Sequence, residues 1–255
     1  MPEIASYIIL YILVFLFGVV IGSFLNVCIF RIPQKESIVL PHSHCMSCGY
    51  QLCWYDLVPL FSFLFLRGRC RKCHTKLSLQ YPLVEGLNGA LYVIVFLANG
   101  WNLLSVLYCL LTSALIVLSV IDFRTMEIPN GINVFIFLLG VAATAIDRAD
   151  WRNHVIGMVA VSGFLLFIYL VTVGRGIGGG DIKLMAGAGL LLGWKAAILA
   201  FFLGCILGSV IHVMRMKINN AEHRLAMGPY LSVGIWLTAM WGQFVIEWYF
   251  GLLGF

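Results

Sequence analysis

Two aspartates stand out in this chain because each lies at the edge of a long apolar run. Asp122 follows the apolar residues 103–121, and Asp181 follows three consecutive glycines and leads into another apolar run. A carboxylate at the edge of hydrocarbon costs free energy, so a residue of this kind is functional by default. Two carboxylates that are forced close together share one proton and can activate water. The two aspartates therefore predict acid–base chemistry by a pair, provided that the fold brings them together.

The residues around each aspartate favour such a pair. Pro129 is expected to end or redirect the helix that carries Asp122 and to permit a turn into the next span. The glycines before Asp181 permit close approach of the backbone, so a peptide substrate or the partner aspartate could reach its carboxylate. Asp181 also opens a helix, whose dipole favours a charged carboxylate and thus assigns the shared proton to Asp122. The supporting glycines are Gly178, Gly179 and Gly180.

Other interpretations of these residues stay open at this point. Asp181 could serve only as a helix cap, and Asp122 could be an interfacial residue paired with Arg124. Glu127 is a rival carboxylate on the same loop. A glycine-rich loop before a helix can also hold a phosphate, although the lysine and hydroxyl pattern of a P-loop is missing here. Carboxylates inside a membrane also serve as proton relays in transporters.

Composition places the chain in a lipid bilayer. Of its 255 residues, 62% are hydrophobic and 11% are charged, whereas soluble domains carry about 25% charged residues. Several apolar runs approach the ~20 residues that span a bilayer. We therefore predict an all-α polytopic membrane protein with about eight transmembrane helices, of which the sixth is short and rich in glycine. The eight runs are residues 7–30, 81–98, 103–121, 131–146, 155–173, 181–193, 196–214 and 228–250.

Lysine and arginine residues give the expected orientation. If the loop after the first span is cytoplasmic and the spans alternate, 13 of these cations fall inside and 3 outside, as the positive-inside rule requires. Both termini are then extracytoplasmic, and Asp122 and Asp181 both lie at the cytoplasmic edge. The net charge of +5 mostly reflects this sidedness, so no nucleic-acid partner is expected. The inside cations are Arg31, Lys35, Arg67, Arg69, Arg71, Lys72, Lys76, Arg124, Arg175, Lys183, Arg215, Lys217 and Arg224, and the outside ones are Arg148, Arg152 and Lys195.

Two CxxC pairs lie in the one long polar segment, residues 31–80. The pairs, Cys45 with Cys48 and Cys70 with Cys73, are separated by 21 residues, which matches the spacing of a four-cysteine zinc site. Each pair forms a tight turn that presents two thiolates, and two such turns complete a tetrahedron. Thiols stay reduced in the cytoplasm, which favours a metal over disulfides. Four protein ligands leave no position for water, so the predicted zinc is structural.

Free thiols or a redox pair are the alternatives to zinc in this loop. Cys53 is a fifth cysteine there, and three histidines are alternative ligands. Between the CxxC pairs, residues 54–66 are too apolar for a solvated linker and too few to span a bilayer, so an interfacial or re-entrant segment is expected. The histidines are His42, His44 and His74.

With these motifs in this order, the sequence resembles the type IV prepilin peptidases, also called leader peptidases and N-methyltransferases. The resemblance covers nearly the whole chain. Residues 22–27 and 31–33 resemble the N-terminal signature of the family, and the paired CxxC loop, residues 66–70 and residues 81–85 follow in its order. The aspartate segment that ends at Asn130 and the run of residues 178–184 resemble its two catalytic motifs. Residues 228–231 resemble the segment near its last span.

The resemblance implies an eight-span aspartic peptidase of the GxGD type in the bacterial inner membrane. That family cleaves the short basic leader of type IV prepilins and pseudopilins at the cytoplasmic face, after a glycine and usually before a phenylalanine. Members with the cysteine loop commonly methylate the new N-terminal amine with S-adenosylmethionine. Carried over to this sequence, the catalytic residues are Asp122 and Asp181, and the metal ligands are Cys45, Cys48, Cys70 and Cys73.

The implied organisation has three segments. Residues 1–30 form the first transmembrane helix, residues 31–80 a cytoplasmic zinc-binding loop with the methyltransferase region, and residues 81–255 a transmembrane peptidase core. A peptidase without methyl transfer, a proton-coupled transporter and a non-catalytic assembly scaffold are the alternative functions.

The sequence departs from the family pattern in the cysteine loop. Met46 stands where many members have proline after the first cysteine, and Cys53 is an extra thiol. The chain has no glycine-rich nucleotide fingerprint in a βαβ context, so it gives no independent site for a methyl donor. Glu85 is a candidate for that site or for substrate contact. The alternative for Glu85 is a carboxylate that caps the start of a helix.

Overall fold

Helices make up the regular structure throughout the described part of the chain. The computed structural model describes residues 2–40, 42–174, 176–219, 225–252 and 254. Within these residues there are α-helices and two short 3₁₀ turns but no β-strand, which confirms the predicted all-α class. The α-helices are α1 (Pro2–Arg31), α2 (Phe61–Phe65), α3 (Gln80–Asn99), α4 (Leu103–Thr125), α5 (Asn130–Ile146), α6 (Trp151–Val171), α7 (Gly179–Leu192), α8 (Trp194–Asn219) and α9 (Gly228–Leu252).

Each of the eight predicted apolar runs lies on one of the longer helices. In the described part of the chain, five helical segments are long and apolar enough to cross a membrane by length and composition. Helix α5 is shorter, with 17 residues, and α7 has 14. The protein is therefore a multi-pass membrane protein, whereas the number of eight spans stays a prediction. The five segments are Ser6–Arg31, Gln80–Asn99, Leu103–Thr125, Arg148–Val171 and Trp194–Lys217.

The chain divides into two compact units, Met1–Leu97 and Ala98–Phe255. The first unit contains α1, the cysteine loop, α2 and most of α3. The second unit contains α4 to α9, including both aspartates. The three segments predicted from the sequence have their boundaries after residues 30 and 80 and were defined by expected role. They stay a prediction.

Glycines let α1 and α3 pack closely within the first unit. A Cβ atom on Gly18 would lie 2.8 Å from Cα of Gly89, and one on Gly22 would lie 2.7 Å from Cα of Glu85. The fully buried side chain of Asn88 donates from Nδ2 to the carbonyl of Gly18 at 2.7 Å. Close approach of small residues and interhelical hydrogen bonds are the usual means by which helices associate in lipid. This packing fixes Glu85 beside α1.

Small residues also fix α7 within the second unit, where it packs between α5 and α6 while α9 packs against α4 and α8. A Cβ atom on Gly187 of α7 would lie 3.0 Å from the backbone nitrogen of Phe137 on α5. On the other side of α7, Gly189 lies against the backbone of Gly157 on α6. The glycine content that made the sixth run the least typical span therefore serves helix packing.

Candidate functional site

Asp122 lies in the last turn of α4 and is almost completely buried, with 4% of its surface exposed. Helix α4 ends because Met126 adopts a left-handed conformation (φ 54°), in which its N–H donates to the carbonyl of Asp122 at 2.8 Å. The helix thus ends at Thr125, before Pro129 is reached. Pro129 acts instead as the N-cap residue of α5, so it begins the next helix after the predicted turn.

The carboxylate of Asp122 is tied to the first residue of α9. The backbone N–H of Gly228 donates to Oδ2 of Asp122 at 2.9 Å, in buried surroundings. A Cβ atom at position 228 would lie 2.6 Å from this oxygen, so only glycine leaves room for the carboxylate. Because Gly228 begins α9, Asp122 faces the positive end of that helix dipole.

Asp181 lies in the first turn of α7, whose N-cap residue is Gly178. The N–H of Gly178 donates to the Asp181 carboxylate, a contact typical of helix starts. The other oxygen, Oδ1, is buried and has no hydrogen-bond partner among the described residues. Leaving a buried polar atom unpaired costs about 1–3 kcal/mol. The interpretation as a helix cap therefore explains only one of the two carboxylate oxygens.

The fold brings the two aspartates together. Their carboxyl groups are close enough for direct charge–charge interaction. Asp181 lies at the N-terminus of its own helix α7, and Asp122 faces the N-terminus of α9. The helix-dipole argument applies to both residues alike and no longer assigns the shared proton to Asp122.

The first turn of α5 holds the start of α7. Asn133 is buried, and its Nδ2 donates to the carbonyl of Gly180 at 3.3 Å. Nζ of Lys183 donates to Oδ1 of Asn130 at 2.7 Å. The sequence did not point to Asn133 as a site residue, and the one indication of its role is that it is a polar residue within an apolar run. These contacts position the helix start that carries Asp181.

The three glycines before Asp181 have different surroundings. A Cβ atom on Gly180 would lie 2.9 Å from Cβ of Ile128, so this glycine admits an apolar side chain from the loop before α5. A Cβ atom on Gly178 would lie 3.1 Å from Oδ2 of Asp181, whereas one on Gly179 would meet nothing within 4 Å. Gly180 therefore serves packing, and Gly179 is the position that leaves the open space expected for a substrate.

The four cysteines of the CxxC pairs converge in the first unit. The Sγ atoms of Cys45, Cys48, Cys70 and Cys73 all lie within 4.8 Å of one another, and those of Cys45 and Cys73 are 3.8 Å apart. A tetrahedral zinc ion with Zn–S bonds of about 2.3 Å needs sulfur atoms about 3.8 Å apart. The cluster therefore has the donor set and the spacing of a four-thiolate metal site.

Each CxxC pair forms the same tight turn. The N–H of the first cysteine donates to the carbonyl of the residue five positions further on, at 2.8 Å in the first turn and 2.9 Å in the second. In each turn, the residue just before the acceptor has a positive φ. This angle is 68° at Gly49 and 57° at His74. His74 is therefore part of the second turn. The sulfur cluster does not include Cys53, His42, His44 or His74.

An ion pair between buried Asp56 and half-exposed Arg71 connects the two turns. Asp56 follows the first CxxC pair, and its side chain is 2% exposed. It accepts hydrogen bonds from Nε of Arg71 at 2.7 Å and from the backbone N–H of Cys53 at 3.3 Å. The guanidinium of Arg71 also lies 4.8 Å from the centroid of the Tyr55 ring. Because Arg71 belongs to the second CxxC pair, these contacts hold the two cysteine turns together.

The environment of Cys73 favours the form of sulfur that binds metal. The hydroxyl of Thr75 lies 3.2 Å from its Sγ. Hydrogen bonding with this hydroxyl and with the backbone of Thr75 lowers the pKa of the Cys73 thiol to about 6. The thiolate, which is the metal ligand, therefore predominates at neutral pH.

Glu85 lies on α3 beside the cysteine loop and is 6% exposed. Its Oε2 accepts the backbone N–H of Leu60 at 2.8 Å, and the hydroxyl of Ser23 on α1 hydrogen-bonds to the same carboxyl group. Helix α3 begins at Gln80, so Glu85 does not cap the start of its own helix. It holds the loop before α2 instead, where Leu60 adopts a φ of 59°.

The apolar segment between the CxxC pairs folds into a 3₁₀ turn, Trp54–Asp56, followed by α2. Its large side chains point outward: Trp54 is 79% exposed, Leu64 71% and Phe65 85%. Exposed apolar side chains of this size fit the predicted interfacial segment. The position of the segment at a membrane surface stays a prediction.

Two family models match most of the chain. The bacterial peptidase A24 N-terminal domain matches residues 16–99, and the type IV leader peptidase family matches residues 109–213. The first match includes the cysteine cluster and Glu85, and the second includes both aspartates. No solved structure matches the chain.

Several curated relatives match over nearly their full length. A prepilin leader peptidase/N-methyltransferase of Aeromonas salmonicida strain A449 is 32% identical, over 93% of this chain and 92% of the relative. The protein of the same name from Bacillus subtilis strain 168 is 33% identical, over 93% of this chain and 96% of the relative. The one from Pseudomonas aeruginosa is 29% identical, over 94% and 93%. With two family models matched in order and relatives of this identity over this length, the chain belongs to the type IV leader peptidase family.

Proposed function

We propose that this chain is a membrane aspartic endopeptidase that removes the short basic leader of type IV prepilins or pseudopilins and then N-methylates the new N-terminal residue. The names of the relatives contain both activities. The observation that carries the peptidase assignment is the pair Asp122 and Asp181, whose carboxyl groups lie within direct charge–charge range. A carboxyl pair of this kind hydrolyses peptides by acid–base chemistry without a covalent intermediate.

The proposed hydrolysis gives each carboxyl group one role. The unprotonated carboxylate takes a proton from water, whose oxygen attacks the carbonyl carbon of the scissile bond. The protonated carboxyl group donates to the carbonyl oxygen and stabilises the negative charge that develops there. The C–N bond then breaks, the leaving nitrogen takes a proton from the pair, and the pair again holds a single proton. Oδ1 of Asp181, which has no hydrogen-bond partner among the described residues, has the capacity to bind the water or the substrate.

We assign the aspartates and the cysteine loop to the cytoplasmic face of the bacterial inner membrane, with both termini outside. The sidedness of lysine and arginine supports this orientation. Two of these cations, Arg175 and Arg224, lie outside the described residues. In this orientation the basic leader of a prepilin stays in the cytoplasm and its apolar helix lies in the bilayer, so the scissile bond is held at the interface.

We also propose that the cysteine cluster holds a structural zinc ion. The cysteine spacing, the sulfur separations and the lowered pKa of Cys73 support a four-thiolate site. Four protein ligands complete the tetrahedron, so the ion would stabilise the loop and take no part in the chemistry. Its ligands would be Cys45, Cys48, Cys70 and Cys73.

Metal analysis tests the zinc proposal. Protein purified in detergent is expected to carry about one zinc ion per chain, and Cys70→Ser is expected to lose most of it because one thiolate ligand is removed. Cys53→Ser is the matched control, since it makes the same change in the same loop outside the cluster and should retain the metal. Both contents can be measured by inductively coupled plasma mass spectrometry. Metal-free wild-type protein with full activity would contradict the proposal.

The methyl-transfer activity needs S-adenosylmethionine as co-substrate. When bound, it supplies an electrophilic methyl group, which bonds to the amine nitrogen as the C–S bond breaks, leaving its electron pair on sulfur and a proton to be lost from nitrogen. The contribution of this chain is to bind the donor and to place the new N-terminal amine in line with the C–S bond.

The experiment that tests the proposed function uses purified full-length protein and a synthetic peptide with a basic leader, a glycine, a phenylalanine and an apolar segment. We expect cleavage between glycine and phenylalanine. When S-adenosylmethionine is present, the intact mass of the product should rise by one methyl group. Cleavage without methylation would assign the peptidase alone. No cleavage by folded protein in lipid would overturn the proposal and favour a transporter or an assembly scaffold.

A further inference from the structure

A cavity of about 750 Å³ lies within the first unit, between the cysteine loop and the adjoining parts of α1 and α3. This volume is typical of sites for small molecules and cofactors. Hydrogen-bonding groups line it from three directions, so a ligand there would be oriented as well as enclosed. Its lining includes Ser23, Asn26, Arg31, Asp56, Tyr81 and Glu85.

Two carboxylates in this lining are buried, and they differ in their partners. Asp56 forms an ion pair with Arg71 at 2.7 Å, which compensates its charge. Glu85 is 6% exposed, and no ion pair to it is found among the described residues. A buried charge is costly unless it is paired. Glu85 is therefore the buried carboxylate of this lining that a cationic ligand would complement, although the cations Arg69 and Lys76 also line the cavity.

The contacts of Glu85 orient its carboxylate without neutralising it. Its partners are the backbone N–H of Leu60 and the hydroxyl of Ser23, both of them uncharged donors. Uncharged donors fix the direction of the carboxylate but supply no positive charge beside it. The close packing of Gly22 against the backbone of Glu85 places this residue beside α1. A carboxylate held in this way is pre-organised for a positive charge.

We propose that this cavity binds S-adenosylmethionine and that Glu85 faces its sulfonium. The inference rests on the proposed methyl-transfer function and names the donor site for it. The ammonium of the donor lies beside the donor's own carboxylate, which partly compensates it, whereas the sulfonium has no internal counter-charge. The sulfonium therefore gains most from an uncompensated carboxylate. The same lining contains guanidinium groups, among them those of Arg31 and Arg69, that can pair with the donor's carboxylate.

Two ligands that differ by one charge test the role of Glu85. S-adenosylhomocysteine has the same adenosine and amino-acid parts as S-adenosylmethionine but a neutral sulfur. In full-length protein in detergent, Glu85→Gln is expected to raise the Kd of S-adenosylmethionine by at least about tenfold. The Kd of S-adenosylhomocysteine should rise by less than about threefold, because its neutral sulfur has no charge–charge contact with Glu85 to lose. Calorimetric titration measures both, and retained binding of the neutral ligand shows that the cavity is intact.

Glu36→Gln is the matched control, because Glu36 is an exposed carboxylate in the lining of the same cavity. It should leave both dissociation constants within about twofold, since an exposed charge is screened by solvent. An equal effect of Glu36→Gln and Glu85→Gln would show a general field effect and overturn the assignment to Glu85. An equal loss of affinity for both ligands in Glu85→Gln would also overturn the assignment, because the carboxylate would then serve only to hold the loop.

Ultraviolet cross-linking of radiolabelled S-adenosylmethionine to the wild-type protein tests the site without any variant. We expect the label in peptides from residues 23–85. Label confined to residues 98–255, in a protein that methylates its substrate, would overturn this inference and leave the proposed function standing. Wild-type protein that neither binds the donor nor methylates a cleaved peptide would overturn the methyltransferase function itself.

Discussion

Asp181→Asn and Asp122→Asn are each expected to slow leader cleavage by about a thousandfold or more, since a positioned acid or base contributes about 10²–10⁴ in rate. Asparagine can neither take a proton from water nor donate the proton that the pair shares. The loss should appear in single-turnover cleavage of a prepilin-like peptide by the full-length protein. Substantial processing by either variant would contradict catalysis by the pair.

The structure indicates that these variants keep their fold. Asparagine at position 122 retains an oxygen that can accept the N–H of Gly228, so the contact between α4 and α9 survives. At position 181, an amide also removes a charge that interacts directly with that of Asp122, so stability should not fall. Thermal unfolding in detergent would confirm this for both variants. Glu127→Gln is the matched control, because it makes the same chemical change on an exposed residue of the loop after α4 and should cleave at nearly the wild-type rate.

The parts of the site that the sequence could predict are those set by local spacing. The CxxC pairs predicted two turns that together form a sulfur cluster, because the geometry of each turn depends on a few adjacent residues. The apolar runs predicted the helices, because bilayer thickness limits their length. The positions of Asp122 and Asp181 at helix ends followed from the same runs. The charge asymmetry then placed both on one side, which made a meeting of the two carboxyl groups an expectation.

The contacts that position the aspartates could not be predicted in this way. Gly228 and Asp122 are 106 residues apart, and Asn133 and Gly180 are 47 residues apart. Such contacts depend on how α9 packs on α4 and how α7 packs on α5, and helical periodicity does not determine which faces meet. The assignment of the shared proton to Asp122 stays a prediction, and it counted the dipole of α7 and not that of α9, which Asp122 faces.

Gly228 gives the second large effect, because its N–H positions the carboxylate of Asp122. Gly228→Ala is expected to lower kcat for leader cleavage by about 10- to 100-fold, since displacing a reacting group by about 1 Å can cost that much. The new Cβ atom would lie 2.6 Å from Oδ2 and 3.0 Å from Cγ of Asp122, so the carboxylate must move. Its hydrogen bond from the residue 228 N–H would lengthen or break. The KM for the peptide should change little, because the substitution is expected to displace the reacting carboxylate alone.

Gly131→Ala is the control that separates this effect from a general effect of alanine at a helix start. Gly131 lies in the first turn of α5 as Gly228 lies in that of α9, and a Cβ atom there would meet nothing within 4 Å. Both substitutions gain the same helix propensity from alanine, so they differ in the clashes at position 228, which are with Asp122 and with Cδ2 of Leu118 at 3.0 Å. Equal kcat values for the two variants would show that Asp122 tolerates displacement and that Gly228 is a packing residue alone. A fall in kcat confined to Gly228→Ala would show that cleavage depends on where α9 holds the Asp122 carboxylate.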